Sequence, residues 1–282
     1  MIFGLAAALG WGLADFFGAV SGRRIGSIGA VMSGQVLSAA FMTAVLVATG
    51  TSLAPLGPDI WLVLLNGAAA AFAYLTHYKA LELGPVAVVS PIGAGYAVVG
   101  VVLAIVILGE RPTGLALAGA GIAVAGVALV STDLRKLRDG IKNHLPGLPW
   151  SVAAAVGFGV AGFLLGWIAD RAGWVAGLWG SRVAQIVFFL PVVFVFRREL
   201  SRLRPGFGLW IALVAGAADI LGVVTFSVGS ERGLNSIVLA SSAVFPLIAV
   251  ALSMIVFEER LVANQIVGIV LVVGGLLLLG LG

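Results

Sequence analysis

Apolar residues run along this chain in ten long stretches, each cut by a short cluster of polar, glycine or proline positions. They cover about residues 3–21, 29–49, 60–80, 86–108 and 113–131, then 150–169, 175–196, 208–229, 235–257 and 262–281. A bilayer core about 30 Å thick takes ~20 residues of helix to cross, so each stretch predicts one membrane-spanning helix. The alternation of apolar and polar positions that marks a membrane β-barrel strand is missing. Backbone groups in lipid must then be satisfied inside each helix. The expected fold class is an all-α membrane protein of ten transmembrane helices.

The two sets of five stretches carry the same landmarks in the same order. Residues 6–16, Ala-Ala-Ala-Leu-Gly-Trp-Gly-Leu-Ala-Asp-Phe, align with residues 153–163 at an offset of 147. Further on the offset settles at 149: Trp61 with Trp210, Gly67 with Gly216, Thr76 with Thr225, Glu82 with Glu231, Gly84 with Gly233, Glu110-Arg111 with Glu259-Arg260, Gly119 with Gly268 and Gly126 with Gly275. Chance similarity between apolar stretches matches Ala and Gly, but not Trp, Thr, Glu and Arg at one spacing. An internal duplication of this size is the signature of a transporter body. It divides the chain into a first five-helix repeat, 1–131, a linker, 132–149, and a second five-helix repeat, 150–282.

Composition agrees. With 61% hydrophobic and 10% charged residues, the chain is far from the roughly 25% charged residues of a soluble domain. The net charge of +4 does not point to nucleic acid, because the basic residues fall in short loops. Alternate loops on one side hold Arg23, Arg24, Lys79, Arg135, Lys136, Arg138, Lys142, Arg197, Arg198, Arg202, Arg204 and Arg260, whereas the other side holds Arg111, Arg171 and Arg232. The positive-inside bias places the 132–149 linker in the cytoplasm and both termini outside. Five spans per half then insert the second half upside down relative to the first. The first stretch is kept as a mature helix, since its charges follow the apolar run where a signal peptide carries them before it. Cysteine is absent, which removes disulfides and thiolate chemistry, and His77 and His144 alone make no metal cage.

Gly10-Trp-Gly-x-x-Asp-Phe16, the Ala80-Leu-Glu-Leu-Gly-Pro85 turn into a Ser-Pro helix, and the helix ends Leu108-Gly-Glu-Arg-Pro112 and Phe257-Glu-Glu-Arg-Leu261 resemble EamA-type permeases of the drug/metabolite transporter superfamily. The resemblance covers the whole chain. It implies a basket of ten helices around a central cavity, lined by helices one, three and four of each half, with the fifth and tenth peripheral. It also implies a small-molecule substrate among amino acids, metabolites and toxic compounds. The halves depart from each other where Gly162 replaces the acid of Asp15 and Asp219 replaces Ala70, which argues against a strictly twofold site.

Charges inside a membrane cost about 2.5–3.5 kcal/mol or more and need partners or a wet cavity. Asp15, His77, Arg182 and Asp219 are such residues. They form either a substrate charge clamp or proton relay, or a structural ion pair that only orients helices; for His77, near a helix end, the structural role leads. Asp15 lies one turn after Trp11 on the same helix face, and Asp15 and Asp219 are the proton-coupling candidates. Trp11 with Phe158, and Tyr96 with Phe245, are repeat equivalents that suggest paired aromatic walls. Tyr74 and Tyr78 present phenols one turn apart. Ser90-Pro91, and Ser241-Ser242 before Pro246, place hydroxyls beside helix breaks, where freed carbonyls can meet a substrate; alternatively they glue helices together. Trp61, Trp150, Trp174 and Trp210 start their spans as an interfacial belt.

Two motifs are set aside. Gly157-Phe-Gly159-Val-Ala-Gly162 matches a dinucleotide fingerprint, yet it lies inside an apolar run and fits close helix packing through small residues. Glu110 and Glu259 precede the fifth and tenth helices and are expected to cap them. Those two helices, nearly free of polar side chains, are expected to face lipid, their own repeat or a second copy through Gly119, Ala120 and Gly126. The combined expectation is a secondary transporter of the cell membrane, monomer or homodimer, using no metal or other cofactor. No ATP motif is present, so uphill export draws on a gradient, with protons as the coupling ion. An intramembrane enzyme and a structural scaffold are the alternatives.

Overall fold

The computed structural model describes residues 2–109, 113–130, 146–200, 205–231, 242 and 245–281. Glu110, Arg111, Arg232, Ser241, His144, most of the linker and the start of the ninth stretch lie outside them. Every regular element among the described residues is helical. The first half holds α1 (Ile2–Ile25), α2 (Ser27–Thr49), α3 (Ile60–Leu83), α4 (Val86–Gly93), α5 (Tyr96–Leu108) and α6 (Gly114–Val130). The second holds α7 (Leu148–Ala172), α8 (Trp174–Val195), α9 (Phe207–Glu231), α10 (Phe245–Val256) and α11 (Ala263–Leu281). Eight helical stretches, with α4 and α5 joined as one, are long and apolar enough to cross a membrane, and α6 and α10 are shorter apolar helices.

The Ser90-Pro91 pair breaks the fourth stretch as its sequence implies. Pro91 has no N–H to give to the carbonyl one turn back, and past Gly93 the ladder tightens, with Gly95 N–H on Ile92 O and Val98 N–H on Gly95 O. α4 and α5 therefore meet at Ala94-Gly95 instead of forming one rod. Large apolar side chains such as Val47, Val106, Phe194 and Ile255 point outwards and are largely exposed. The interior meanwhile holds Asp15, Gln35, Asn66, His77, Arg182, Gln185 and Asp219. A chain with its oil outside and its polar groups inside is built for lipid, and the protein is a multi-pass membrane protein.

Close approach between small residues fixes the direction of each helix. On α1, a Cβ at Gly10 would come within 2.5 Å of Gly222 N on α9, while at the other end Gly208 faces Ile25; α1 and α9 are antiparallel. α3 runs parallel to α1, since Gly18 faces Tyr78 and Gly22 faces Glu82. α7 runs against α3, with Gly157 on Ala73 and Asn66 reaching Ala161. α6 and α11 also cross in opposite directions. A Cβ at Gly119 would stand 2.6 Å from Gly275 O, and one at Gly126 2.7 Å from Gly268 O. Those four glycines are the two repeat pairs found in the sequence, exchanged. Asn264 and Gln265 close the seam by donating to the last carbonyls of α6, Leu129 O and Val130 O, which have no helical partner of their own. The fifth and tenth helices thus pack on each other across the two halves, a partner the sequence did not single out, and Ala123 and Val272 are fully buried between them.

Candidate functional site

The spans that approach most closely at their small residues bring two polar groups near mid-bundle. α1 and α3 run parallel, so Asp15 and His77 fall at one depth, and Asp15 Oδ1 lies 2.7 Å from His77 Nε2. Both residues are buried, at 7% and 6% exposed. An acid from another helix thus meets His77, in a place a helical reading of α3 alone does not reveal. The outer atoms of this pair, Asp15 Oδ2 and His77 Nδ1, have no hydrogen-bond partner, and neither does the buried Ser90 hydroxyl on α4. The imidazole's free edge faces Gly93 of α4, where a Cβ would stand 3.6 Å from Nδ1.

The second group is sewn together. Arg182 Nη2 donates to Asp219 Oδ2 and to the Tyr74 hydroxyl, each at 3.2 Å. The Tyr74 O–H donates in turn to Asp219, 2.9 Å from Oδ1 and 3.0 Å from Oδ2. Arg182 Nη1 donates to Gln35 Oε1 at 2.7 Å and Gln185 Oε1 at 3.1 Å. One arginine therefore gathers α2, α3, α8 and α9. The buried glutamines of α2 and α8 are a signal that reading by charge alone passed over. Asn66 and Ser181, also passed over, hydrogen-bond each other and tie α3 to α8.

Phe158 on α7 separates the two groups. Its ring stands edge-on to Tyr74 at 4.9 Å and to His77 at 5.5 Å between centroids. Trp11 packs against Phe226 at 5.5 Å and Phe245 at 6.1 Å. Tyr96 joins Trp11 and Phe245 around a buried cluster that includes Ala8 and Ala94. The expected aromatic equivalents thus divide: Phe158 lies between the charges, and Trp11, Tyr96 and Phe245 form a neighbouring wall. Tyr78 is buried beside α1, and Ser242 is buried at the start of the last half-span. Asp15 and Asp219, Tyr74 and His77 are brought near one another through these contacts, whereas Ser241 lies outside the described residues. No group of three or more His, Asp or Glu side chains suited to a metal occurs among the described residues.

Gly10, Gly12, Gly157 and Gly159 are packing glycines. Gly159 admits Val99 and the Tyr96 carbonyl, and Gly12 admits Ile248 and the Phe245 carbonyl, so the fingerprint-like pattern is helix contact surface.

Comparison with known proteins follows the same lines. The model of the EamA-like transporter family matches residues 1–132 and 145–281. A solved structure titled only "Crystal structure of protein" is similar at 20% identity with a TM-score of 0.65, covering 98% of this chain and 94% of its own; this likeness speaks for the fold. No curated protein matches the chain.

Proposed function

The chain belongs to the EamA-like transporter family, and on that premise we propose that it is a secondary active transporter that exports a small metabolite, amino acid or drug-like solute across the cell membrane by alternating access. The contact between Phe158 and both polar groups is the observation that carries this reading. It joins Asp15 and His77 of the first half to Asp219 and Arg182 of the second, so a movement of one half against the other must act on both groups. Membership in a transporter family favours transport over an intramembrane enzyme.

Corresponding helices run antiparallel, α2 against α8 with Gln35 at Arg182 and Thr43 at Trp179, and α6 against α11, which supports two inverted five-helix repeats, 1–131 and 150–282; the positive-inside bias favours a cytoplasmic linker and external termini. The substrate path in this reading runs past Phe158 and the Trp11, Tyr96 and Phe245 wall. Asp219 is already met by an arginine and a phenol, so the proton is carried by Asp15 with His77. In this reading a proton taken up by the pair changes the tie between α1 and α3, which links a proton to helix movement.

Reconstitution tests it. In proteoliposomes loaded with a pH-sensitive dye, a panel of amino acids and organic cations is added under an imposed proton gradient. An accepted solute should move protons through the native protein, and Asp15→Asn should insert normally but show no gradient-driven flux. Full pH-driven flux in Asp15→Asn would remove the carboxylate from coupling.

A further inference from the structure

The end of the bundle where α1 and α3 finish, the end rich in arginine, is tied by a contact between the halves that the transport site does not use. After α10 the chain turns at Glu258, whose φ of 53° is a left-handed conformation uncommon for a residue other than glycine. Glu259, the next side chain, does not cap α11 as its place before that helix suggests. It reaches into the first half, where its carboxylate accepts the Val86 N–H at 3.1 Å and the Ala87 N–H at 2.9 Å. These first N–H groups of α4 have no carbonyl inside their own helix. A carboxylate there satisfies both and meets the positive end of the helix dipole.

Arg23, in the last turn of α1, completes the contact. Its Nη2 donates to Gly84 O at 2.9 Å and lies 3.5 Å from Glu259 Oε1, and its guanidinium covers the Phe257 ring at 4.4 Å. Phe257 packs on the buried cluster of Ala19, Ala80, Leu81, Val86, Val89 and Ala249, drawn from α1, α3, α4 and α10. The Glu259 side chain is 12% exposed, so water competes little for it. The opposite end has no described equivalent: Arg171 pairs there with Asp59 at 2.7 Å, but Arg171 is 48% exposed, and exposed pairs contribute little.

We propose that Glu259, Arg23 and the N-terminus of α4 form a gate latch that holds the arginine-rich end of the path shut and must release for that end to open. The proposal rests on the alternating-access reading. α4 sets Gly93 against the His77 ring, so the element the latch holds by its first turn also borders the charged site. A gate here is thereby connected to the site through one short helix.

The absence of native cysteine allows a direct test. Ala249→Cys reports from under the latch and Ile168→Cys from the buried cluster near the opposite end. Each is placed in the native chain and in Glu259→Gln, and labelling by a membrane-impermeant maleimide is timed in detergent, where both ends are open to reagent. Loss of one charge-assisted contact shifts a two-state equilibrium, so Glu259→Gln should speed labelling at Ala249→Cys by about tenfold while labelling at Ile168→Cys stays equal or slows. Arg23→Gln should act in the same direction, more weakly, and serves as the test if Glu259→Gln does not fold. Faster labelling at both positions would mean that Glu259 merely holds the fold together, and no change at either would mean that it holds nothing shut; both overturn the latch. Labelling needs no transported solute. A latch that opens as stated in a protein without gradient-driven flux would therefore sink the transport reading alone.

Discussion

The two buried carboxylates are held in opposite ways. Asp219 has both oxygens on the Tyr74 hydroxyl and one on Arg182, so its negative charge is compensated on the spot. Asp15 meets only His77 and keeps an oxygen without a partner, and the outer imidazole nitrogen of His77 is in the same condition. A buried polar group left unpaired costs stability. Around Asp219 the carboxylate is fully met, and the unpaired buried atoms of that group are two donors, Arg182 Nε and Gln185 Nε2. We propose that the arginine group is the fixed one of the two and the histidine group the one whose chemistry changes.

The largest expected effect breaks the fixed side. Arg182→Ala leaves Asp219 buried without its cation, and losing one partner of a buried pair costs about 3–5 kcal/mol. Thermal unfolding in detergent should show a large loss, much of it recovered when Asp219→Asn is added. Additive losses in the double variant would show that the two charges are not coupled. Tyr74→Phe is milder. It removes the hydroxyl that bridges Arg182 and Asp219, for a loss of about 1–3 kcal/mol, and an unchanged unfolding temperature would mean the phenol contributes nothing to the cluster.

Much of this arrangement was legible in the sequence, and the limits are physical. Ten apolar stretches, the offset landmarks and the Ser90-Pro91 break come from local constraints on backbone and solvent, so they survive in one dimension. Which residues would be charged inside the membrane was equally plain. Their pairing was not, because it depends on how each helix is rotated and which way it runs. His77 finds its acid 62 residues away, on a helix that runs parallel to its own. Glu259 caps a helix of the other half for the same reason: a vacant N-terminus in space outcompetes the one next in sequence. Gln35 and Gln185 were missed because glutamine carries no charge to flag it.

The changeable side predicts smaller stability effects and larger functional ones. His77→Gln should cost about 1 kcal/mol, the worth of an ordinary hydrogen bond, and should alter the pH dependence of solute flux in proteoliposomes. Tyr74→Phe should leave that pH profile in place. If Tyr74→Phe moves the profile and His77→Gln does not, the roles given to the two groups are reversed.

The smallest expected effect is the sharpest separation of chemistry from packing. The Ser90 hydroxyl is fully buried and without a partner. Ser90→Ala removes an unsatisfied polar atom and leaves a side chain of nearly the same volume, so stability should hold or rise by a few tenths of a kcal/mol. As a donor to a bound solute or water, the hydroxyl would act only when the site is occupied. Flux should therefore fall in Ser90→Ala while the unfolding temperature does not. A variant that is less stable and transports normally would place Ser90 among the groups that glue helices, and with it the unpaired edge of the histidine site would lose its claim to chemistry.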